Sequence, residues 1–185
     1  MIRLSHPHIF SCLLASKRLI SFFSPTYYHD CLSQFKKAEA DTENQGYKVC
    51  VAESAQEVAA ACNLIITATP AKKPLLYSKD IQPGTHIRAV RADTPEKQEL
   101  ESKILTRAEV VVVDSRSQAQ SRGEVYQALR QGVLSIAKTV ELGEIILQPE
   151  LRRQTNNQLT VADLTGVAVQ DIQIAKAVHE KYLEE

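Results

Sequence analysis

The sequence lacks an excess of charge of either sign, and it lacks any long apolar run. Its 185 residues contain 22 Lys and Arg against 22 Asp and Glu, so the formal net charge is zero. Charged residues alternate and form no single-sign block of the kind that binds nucleic acid or an anionic membrane. No apolar stretch approaches the roughly 20 residues of a membrane-spanning helix. We therefore expect no nucleic-acid partner and no membrane partner.

Cysteine is scarce, and its spacing is not that of a zinc site. The 4 cysteines include no CxxC pair, and no histidine stands at zinc-ligand spacing from them. They do not indicate a disulfide framework, which favours a reducing, cytoplasmic location. The two histidines of the segment SHPH have no third ligand nearby, so we predict no metal site. The cysteines are Cys12, Cys31, Cys50 and Cys62.

Apolar, β-branched segments alternate with helix-like segments over most of the chain. The strand-like segments are YKVCVA, NLIITAT, THIRAV, AEVVVVDS and LTVADLTG. Continuous apolar strands that alternate with helices indicate a parallel sheet with helices on both faces. We therefore predict an α/β fold.

The helix-like segments carry start and stop signals. Ser54, followed three residues later by Glu57, predicts a capping box, and Gly132 is a typical residue just after a helix. The final segment has the pattern of an amphipathic helix. The predicted helices are LSQFKKAEADTENQ, AQEVAAAC, PEKQELESKIL, EVYQALRQG and VAVQDIQIAKAVHEKYLEE.

Polar residues follow the predicted strands directly. Because the carboxyl ends of parallel strands meet at one edge, where such sheets bind ligands, these residues could line one crevice. Asp93 has a second interpretation, since Asp93 or Thr94 could cap a helix that begins at Pro95. The residues that follow strands are Thr69, Asp93, Asp114 and Thr165.

Taken in order, several segments make the chain resemble the ornithine cyclodeaminase and mu-crystallin family. They are NLIITATPAKKPLL, IQPGTHIRAVRADTPEKQEL, AEVVVVDSRSQAQSRGE, ELGEII and LTVADLTGVAVQDIQIAKAV. The resemblance implies a Rossmann-type domain that binds NAD or NADP. It also implies hydride transfer at the α-carbon of a small amino or imino acid substrate. Family members have a second domain that binds substrate and dimerises, so a homodimer is implied as well.

The resemblance also assigns roles to individual residues. The family's acid lies in a segment of the form A-V-G-x-D-x-P-G-K-x-E-L, which matches AVRADTPEKQEL and implies that Asp93 is the catalytic acid and base. Burial that brings its pKa toward neutral would suit that role. Lys97 and Glu99 match as well, with a structural role implied. The implied cofactor-binding residues are Thr67, Ala68, Thr69, Val90, Thr165 and Gly166.

The chain departs from the family where the phosphates of a dinucleotide bind. That site needs a Gly-rich turn after the first strand, but the 6 glycines include no G-x-G pair. Residues 1–30 take the place of this turn and do not resemble the family. We therefore expect a Rossmann-like sheet that is incomplete at its first strand and leaves a central strand edge exposed. Arg91 replaces a family Gly, and we expect it to crowd the nicotinamide pocket.

These observations predict three parts of the chain. Residues 1–30 form a non-family leader that is neither an export signal nor a membrane anchor. Residues 31–166 form a partial dinucleotide-binding domain, and residues 167–185 form a C-terminal helix.

Three functions remain open from the sequence. The first is an NAD(P)-dependent enzyme portion of the cyclodeaminase, ketimine reductase or amino-acid dehydrogenase type. The alternative is a catalytically silent fragment, or a subunit that depends on a complementing chain for the missing half. A small-molecule carrier is the third. We also expect that the chain alone binds neither NAD nor NADP tightly, because the phosphate-binding turn is absent.

Overall fold

The computed structural model describes residues 9–13, 18–23, 48–90 and 92–183. The strands of this part are β1 Ile9–Leu13, β2 Arg18–Phe23, β3 Lys48–Val51, β4 Leu64–Thr67, β5 Lys72–Leu76, β6 His86–Ala89, β7 Gln98–Leu100, β8 Val110–Val113, β9 Thr139–Glu141 and β10 Thr160–Asp163. Its helices are α1 Ala55–Ala61, α2 Ser102–Arg107, α3 Arg116–Ala119, α4 Glu124–Arg130, α5 Leu142–Leu147 and α6 Ala168–Leu183. Short 3-10 turns span Ser78–Asp80, Ile136–Lys138 and Pro149–Leu151. Arg91, the SHPH histidines and the predicted helix LSQFKKAEADTENQ lie outside the described residues.

Eight strands form one sheet in the order β3-β2-β1-β4-β6-β10-β8-β9. The pairs β2–β3, β4–β6, β6–β10, β10–β8 and β8–β9 are all parallel. The predicted α/β fold with a parallel sheet and helices is confirmed. β5 and β7 form a separate two-stranded parallel sheet.

β1 occupies the position beside β4 that we expected to be empty, but it runs in the opposite direction. It is antiparallel to both β2 and β4. Its last residue, Leu13, pairs with Leu19 near the start of β2, so β1 ends at the edge where the parallel strands begin. In a dinucleotide-binding fold, the phosphate-binding turn follows the first strand at the other edge. β1 therefore pairs along β4 and ends at the edge opposite to the one where that turn lies.

β1 and β2 also belong to the main sheet although they lie within residues 1–30. Both strands are therefore part of the same layer as the strands that follow. The division of the chain at residue 30 stays a prediction.

The first described helix begins as the sequence predicts. Ser54 is the N-cap of α1, and its hydroxyl accepts a hydrogen bond from the Glu57 backbone N–H at 3.2 Å. The Glu57 carboxylate in turn accepts from the backbone N–H of Glu53 at 2.8 Å. These contacts satisfy backbone donors that the helix itself leaves free.

The helix predicted over PEKQELESKIL is wrong in its first half. Gln98–Leu100 is strand β7, paired with β5, and α2 begins only at Ser102. The reason is a distant partner, because the backbone N–H groups of Glu99 and Leu100 donate to the buried carboxylate of Glu124. A tertiary contact of this kind overrides local helix propensity.

The core lies between one face of the main sheet and the helices packed on it. The sheet residues of this cluster include Ile65, Ile87, Val111 and Val161, each fully buried. Their helical partners in the same cluster include Val58, Ile104, Leu105 and Val125. This layer fixes the strands whose carboxyl ends form the candidate site.

Two further features concern the environment of the chain. Cys62 is disulfide-bonded, a bridge that the cysteine spacing did not indicate. Among the described residues, we find no helix with the length and apolar character needed to cross a bilayer.

Candidate functional site

The last paired row of the main sheet places four strand ends side by side. Thr67 of β4 pairs with Ala89 of β6, which pairs with Asp163 of β10, which pairs with Val113 of β8. The next residues leave the sheet at this same edge, and the Val90 N–H still donates to the Thr67 carbonyl at 3.1 Å. The structure thus brings together the segments that carry the predicted cofactor-binding residues.

One carboxylate fixes the turn Thr67–Thr69, which begins at the last residue of β4. The Glu99 side chain accepts a hydrogen bond from the Thr67 hydroxyl at 2.8 Å and another from the Thr69 backbone N–H at 2.6 Å. Thr67, Thr69 and Glu99 are all buried. Ala68, between the two threonines, is partly exposed. We call Thr67–Thr69 the β4 turn.

The loop after β10 is held by Asp114 at the end of β8. One Asp114 carboxylate oxygen accepts from the Thr165 hydroxyl at 3.2 Å, and the other accepts from the Gly166 backbone N–H at 2.6 Å. The Thr165 hydroxyl also lies 3.0 Å from the side-chain oxygen of Gln118. Gly166 has a φ of +88°, a conformation that glycine adopts without steric cost. Asp114 therefore fixes the predicted Thr165–Gly166 loop rather than capping α3, whose N-cap is Ser115.

Asp93 lies in the loop between β6 and β7, and its side chain is 53% exposed. It forms an ion pair with Lys97, whose side chain is largely buried at 16% exposure. The capping interpretation of Asp93 is wrong, because no helix begins at Pro95. Gln127 of α4 holds this loop by donating to the Pro95 carbonyl at 2.6 Å. The burial that would tune Asp93 as an acid is not supplied by the described residues.

Three buried carboxylates beneath this edge were missed as a group by the sequence analysis. Glu99, Glu124 and Asp163 are each at most 1% exposed. The signal was present in each case as an acidic residue next to apolar residues in a strand or a first helical turn. Ionised side chains are rarely buried unless they are paired or hydrogen-bonded, so such positions indicate a specific polar network.

Burial is the largest cause of the raised pKa values of these three carboxyl groups. It raises the pKa of Asp163 from 3.8 to about 7, although the Val125 backbone N–H donates to its Oδ2 at 2.8 Å. Burial also raises the pKa of Glu99, and it raises that of Glu124 well above the ordinary value, with the charge of Asp163 adding to the effect. Buried carboxyl groups near one another disfavour simultaneous ionisation.

Gly123 makes room for the Asp163 carboxylate. It has a φ of +98°, and a Cβ at this position would lie 2.6 Å from Asp163 Oδ2 and 2.9 Å from Thr165 Cγ2. A side chain cannot be accommodated there without displacing the Asp163 carboxylate and the Thr165 methyl group. Gly123 thus sets the close approach between α4 and the loop that carries Thr165.

Comparisons with known proteins agree with this geometry. A model of the ornithine cyclodeaminase/mu-crystallin family matches residues 11–185. Alanine dehydrogenase from Archaeoglobus fulgidus is 36% identical over 149 residues, which are 80% of this chain and 45% of the relative. The match to the family model begins at residue 11 and so includes part of the predicted leader.

Solved structures give the same result. An archaeal alanine dehydrogenase dimer with bound NAD has a TM-score of 0.74 at 36% identity, covering 80% of this chain and 46% of that chain. The Thermococcus litoralis Delta(1)-pyrroline-2-carboxylate reductase in complex with NADH and L-proline has a TM-score of 0.75 at 28% identity, covering 83% and 48%. The chain therefore spans under half the length of the relatives it matches. On the extent of the family match and the identity to these relatives, the chain belongs to the ornithine cyclodeaminase/mu-crystallin family.

Proposed function

We propose that this chain provides the nicotinamide-facing portion of an NAD(P)-dependent enzyme that acts at the α-carbon of an amino or imino acid. The observation that carries the proposal is the common edge shared by the β4 turn, Val90 and the Thr165–Gly166 loop. Ligands of open parallel sheets bind at this edge. Relatives of the same family have been solved with NAD or with NADH and L-proline.

In this proposal, the chain's residues have distinct roles. The β4 turn and the Thr165–Gly166 loop would hold the nicotinamide end of the cofactor, which would supply or accept the hydride. Asp93 lies at the same edge, where its carboxylate would hold the substrate nitrogen and exchange a proton with it. Lys97 pairs with this carboxylate and orients it toward the substrate.

The first prediction concerns cofactor binding by the purified chain. We expect NADH and NADPH to bind weakly, with Kd values in about the millimolar range, because the sequence has no G-x-G pair for a phosphate-binding turn. The amide signals that move during a ¹H–¹⁵N NMR titration should be those of the β4 turn, Val90 and Gly166. AMP, which lacks the nicotinamide ring, is the matched control and should leave these signals in place.

The outcomes of this titration separate the open functions. Saturable micromolar binding would show that the expectation of weak binding is wrong. It would still support the proposal that the chain is part of an NAD(P)-dependent enzyme. Shifts confined to other parts of the sheet, or none at millimolar concentrations, would reject the proposed site and favour the catalytically silent chain.

The second prediction concerns Asp93. Asp93→Asn should lower the rate of NADH-dependent reduction of a cyclic imino acid by about 10²–10⁴-fold, because the amide cannot donate and recover a proton. The amide shifts caused by NADH should be unchanged, since Asp93 acts on substrate. Glu96→Gln alters a neighbouring exposed carboxylate of the same loop and should retain the wild-type rate. Equal losses in both variants would contradict the role of Asp93, and an inactive wild-type chain would support the silent alternative.

The identity of the partner and the cellular location stay predictions. A homodimer or a complementing chain is supported by the dimeric archaeal relative and by the apolar side chains Ile172 and Val178, which α6 exposes to solvent. The cytoplasmic location rested on unbridged cysteines, and the disulfide at Cys62 weakens that argument.

A further inference from the structure

The small sheet β5–β7 needs an anchor because it is separate from the main sheet. β7 has three residues and pairs with β5 alone. The loop of Asp93 ends where β7 begins, so the position of β7 decides where that loop can lie. The contacts that fix β7 are therefore relevant to the proposed acid.

The first anchor is the carboxylate of Glu124, in the first turn of α4. Its two oxygens accept from the backbone N–H groups of Glu99 at 2.7 Å and Leu100 at 3.0 Å. Glu124 is fully buried, so these bonds are not exchanged for bonds to water. They hold the backbone of β7 against α4.

The second anchor is the carboxylate of Glu99 itself, which reaches the main sheet. It accepts from the Thr67 hydroxyl and the Thr69 N–H of the β4 turn. Val125, which follows Glu124 in α4, links this helix to the main sheet, because its N–H donates to Asp163 at the end of β10. Hydrogen bonds thus run from β10 through α4 and β7 to β4, and both ends lie on the main sheet.

We propose that Glu99 and Glu124 are positioning residues that hold the β4 turn and the Asp93 loop in one fixed arrangement. The inference rests on the proposed function, which makes the β4 turn a cofactor contact and Asp93 the acid. It goes further in assigning the arrangement of both to two buried carboxylates that touch neither cofactor nor substrate. A change at Glu124 is transmitted to Thr69 through β7.

The test uses amide hydrogen exchange of the purified chain, which needs no cofactor. Glu124→Gln leaves one acceptor oxygen for two backbone donors. We expect exchange to accelerate about tenfold at Glu99 and Leu100, and also at Thr69, which Glu124 does not contact. Glu101→Gln is the matched control, because Glu101 accepts from the Ser78 N–H at 2.7 Å and should affect exchange at Ser78 alone.

A second measurement detects the coupling without relying on the fold of Glu124→Gln. Glu124 is faced by the charges of Asp163 and Glu99, and the pKa of Glu99 also responds to Lys97. The amide shifts of Glu99 and Leu100 should follow the titration of Glu124 in the unaltered chain. In Glu99→Gln, their midpoint should fall, because a neighbouring negative charge is removed.

Each outcome decides a separate question. Unchanged exchange at Thr69 in Glu124→Gln, or an unchanged midpoint in Glu99→Gln, would overturn the positioning role. Where both changes occur but NADH fails to shift the β4 turn, the hydrogen-bonded linkage holds and the proposed function fails.

Discussion

Gly123→Ala should destabilise the chain by about 3–5 kcal/mol, a large share of the stability of an ordinary domain. The φ of +98° at Gly123 already disfavours an L side chain. The added Cβ would also lie 2.6 Å from Asp163 Oδ2, inside the contact distance of carbon and oxygen. Relief requires the Asp163 carboxylate to move, and its hydrogen bond to the Val125 N–H and its burial resist this. Urea unfolding followed by circular dichroism measures the loss.

Gly132 provides the matched control for this variant. It also has a positive φ, +68°, but a Cβ there would have no heavy atom within 4 Å. Gly132→Ala should therefore show only the backbone cost, about 1–2 kcal/mol. Similar losses in the two variants would show that the contact with Asp163 contributes nothing. A Gly123→Ala chain of wild-type stability would show that α4 and β10 do not approach as closely as the structure has them.

The strands that form the site were predictable because their local pattern and their final environment agree. NLIITAT and AEVVVVDS are largely apolar runs, THIRAV and LTVADLTG are strand-like, and all four became strands of the parallel sheet. In such a sheet, the residue after each strand is found at one edge whatever the details of packing. Thr69, Asp114 and Thr165 could therefore be placed from the sequence alone.

β7 could not be predicted because its determinants are distant. EKQELESKIL has a high content of helix-forming residues, and only Glu124, some 25 positions later, supplies the acceptor for its backbone N–H groups. The same error produced the capping interpretation of Asp93. β1 was missed for a different reason, because its direction depends on pairing with β2 and β4 and not on its own composition.

The free energy of unfolding should fall as the pH rises from about 4 to about 7, and Asp163 should account for on the order of 2–4 kcal/mol of that fall. The pKa of Asp163 is raised from 3.8 to about 7 in the folded chain, mainly by burial. Between these values, the folded chain keeps a proton that the unfolded chain releases, so each step to higher pH favours unfolding. Above about pH 7, both states are ionised and the contribution of Asp163 becomes constant. Glu99 and Glu124 act in the same direction, because burial raises their pKa values as well.

Comparison with Asp163→Asn isolates this contribution. The amide oxygen can still accept from the Val125 N–H, but the side chain no longer titrates. The difference in unfolding free energy between the two proteins should therefore change by on the order of 2–4 kcal/mol between pH 4.5 and pH 8, roughly the interval over which the carboxyl titrates. Asp171→Asn on the exposed helix α6 alters net charge equally and should keep the wild-type slope. Parallel profiles for wild type and Asp163→Asn would mean that this carboxyl is ionised throughout. The buried group under the candidate site would then be stabilised by its hydrogen bonds strongly enough to outweigh desolvation.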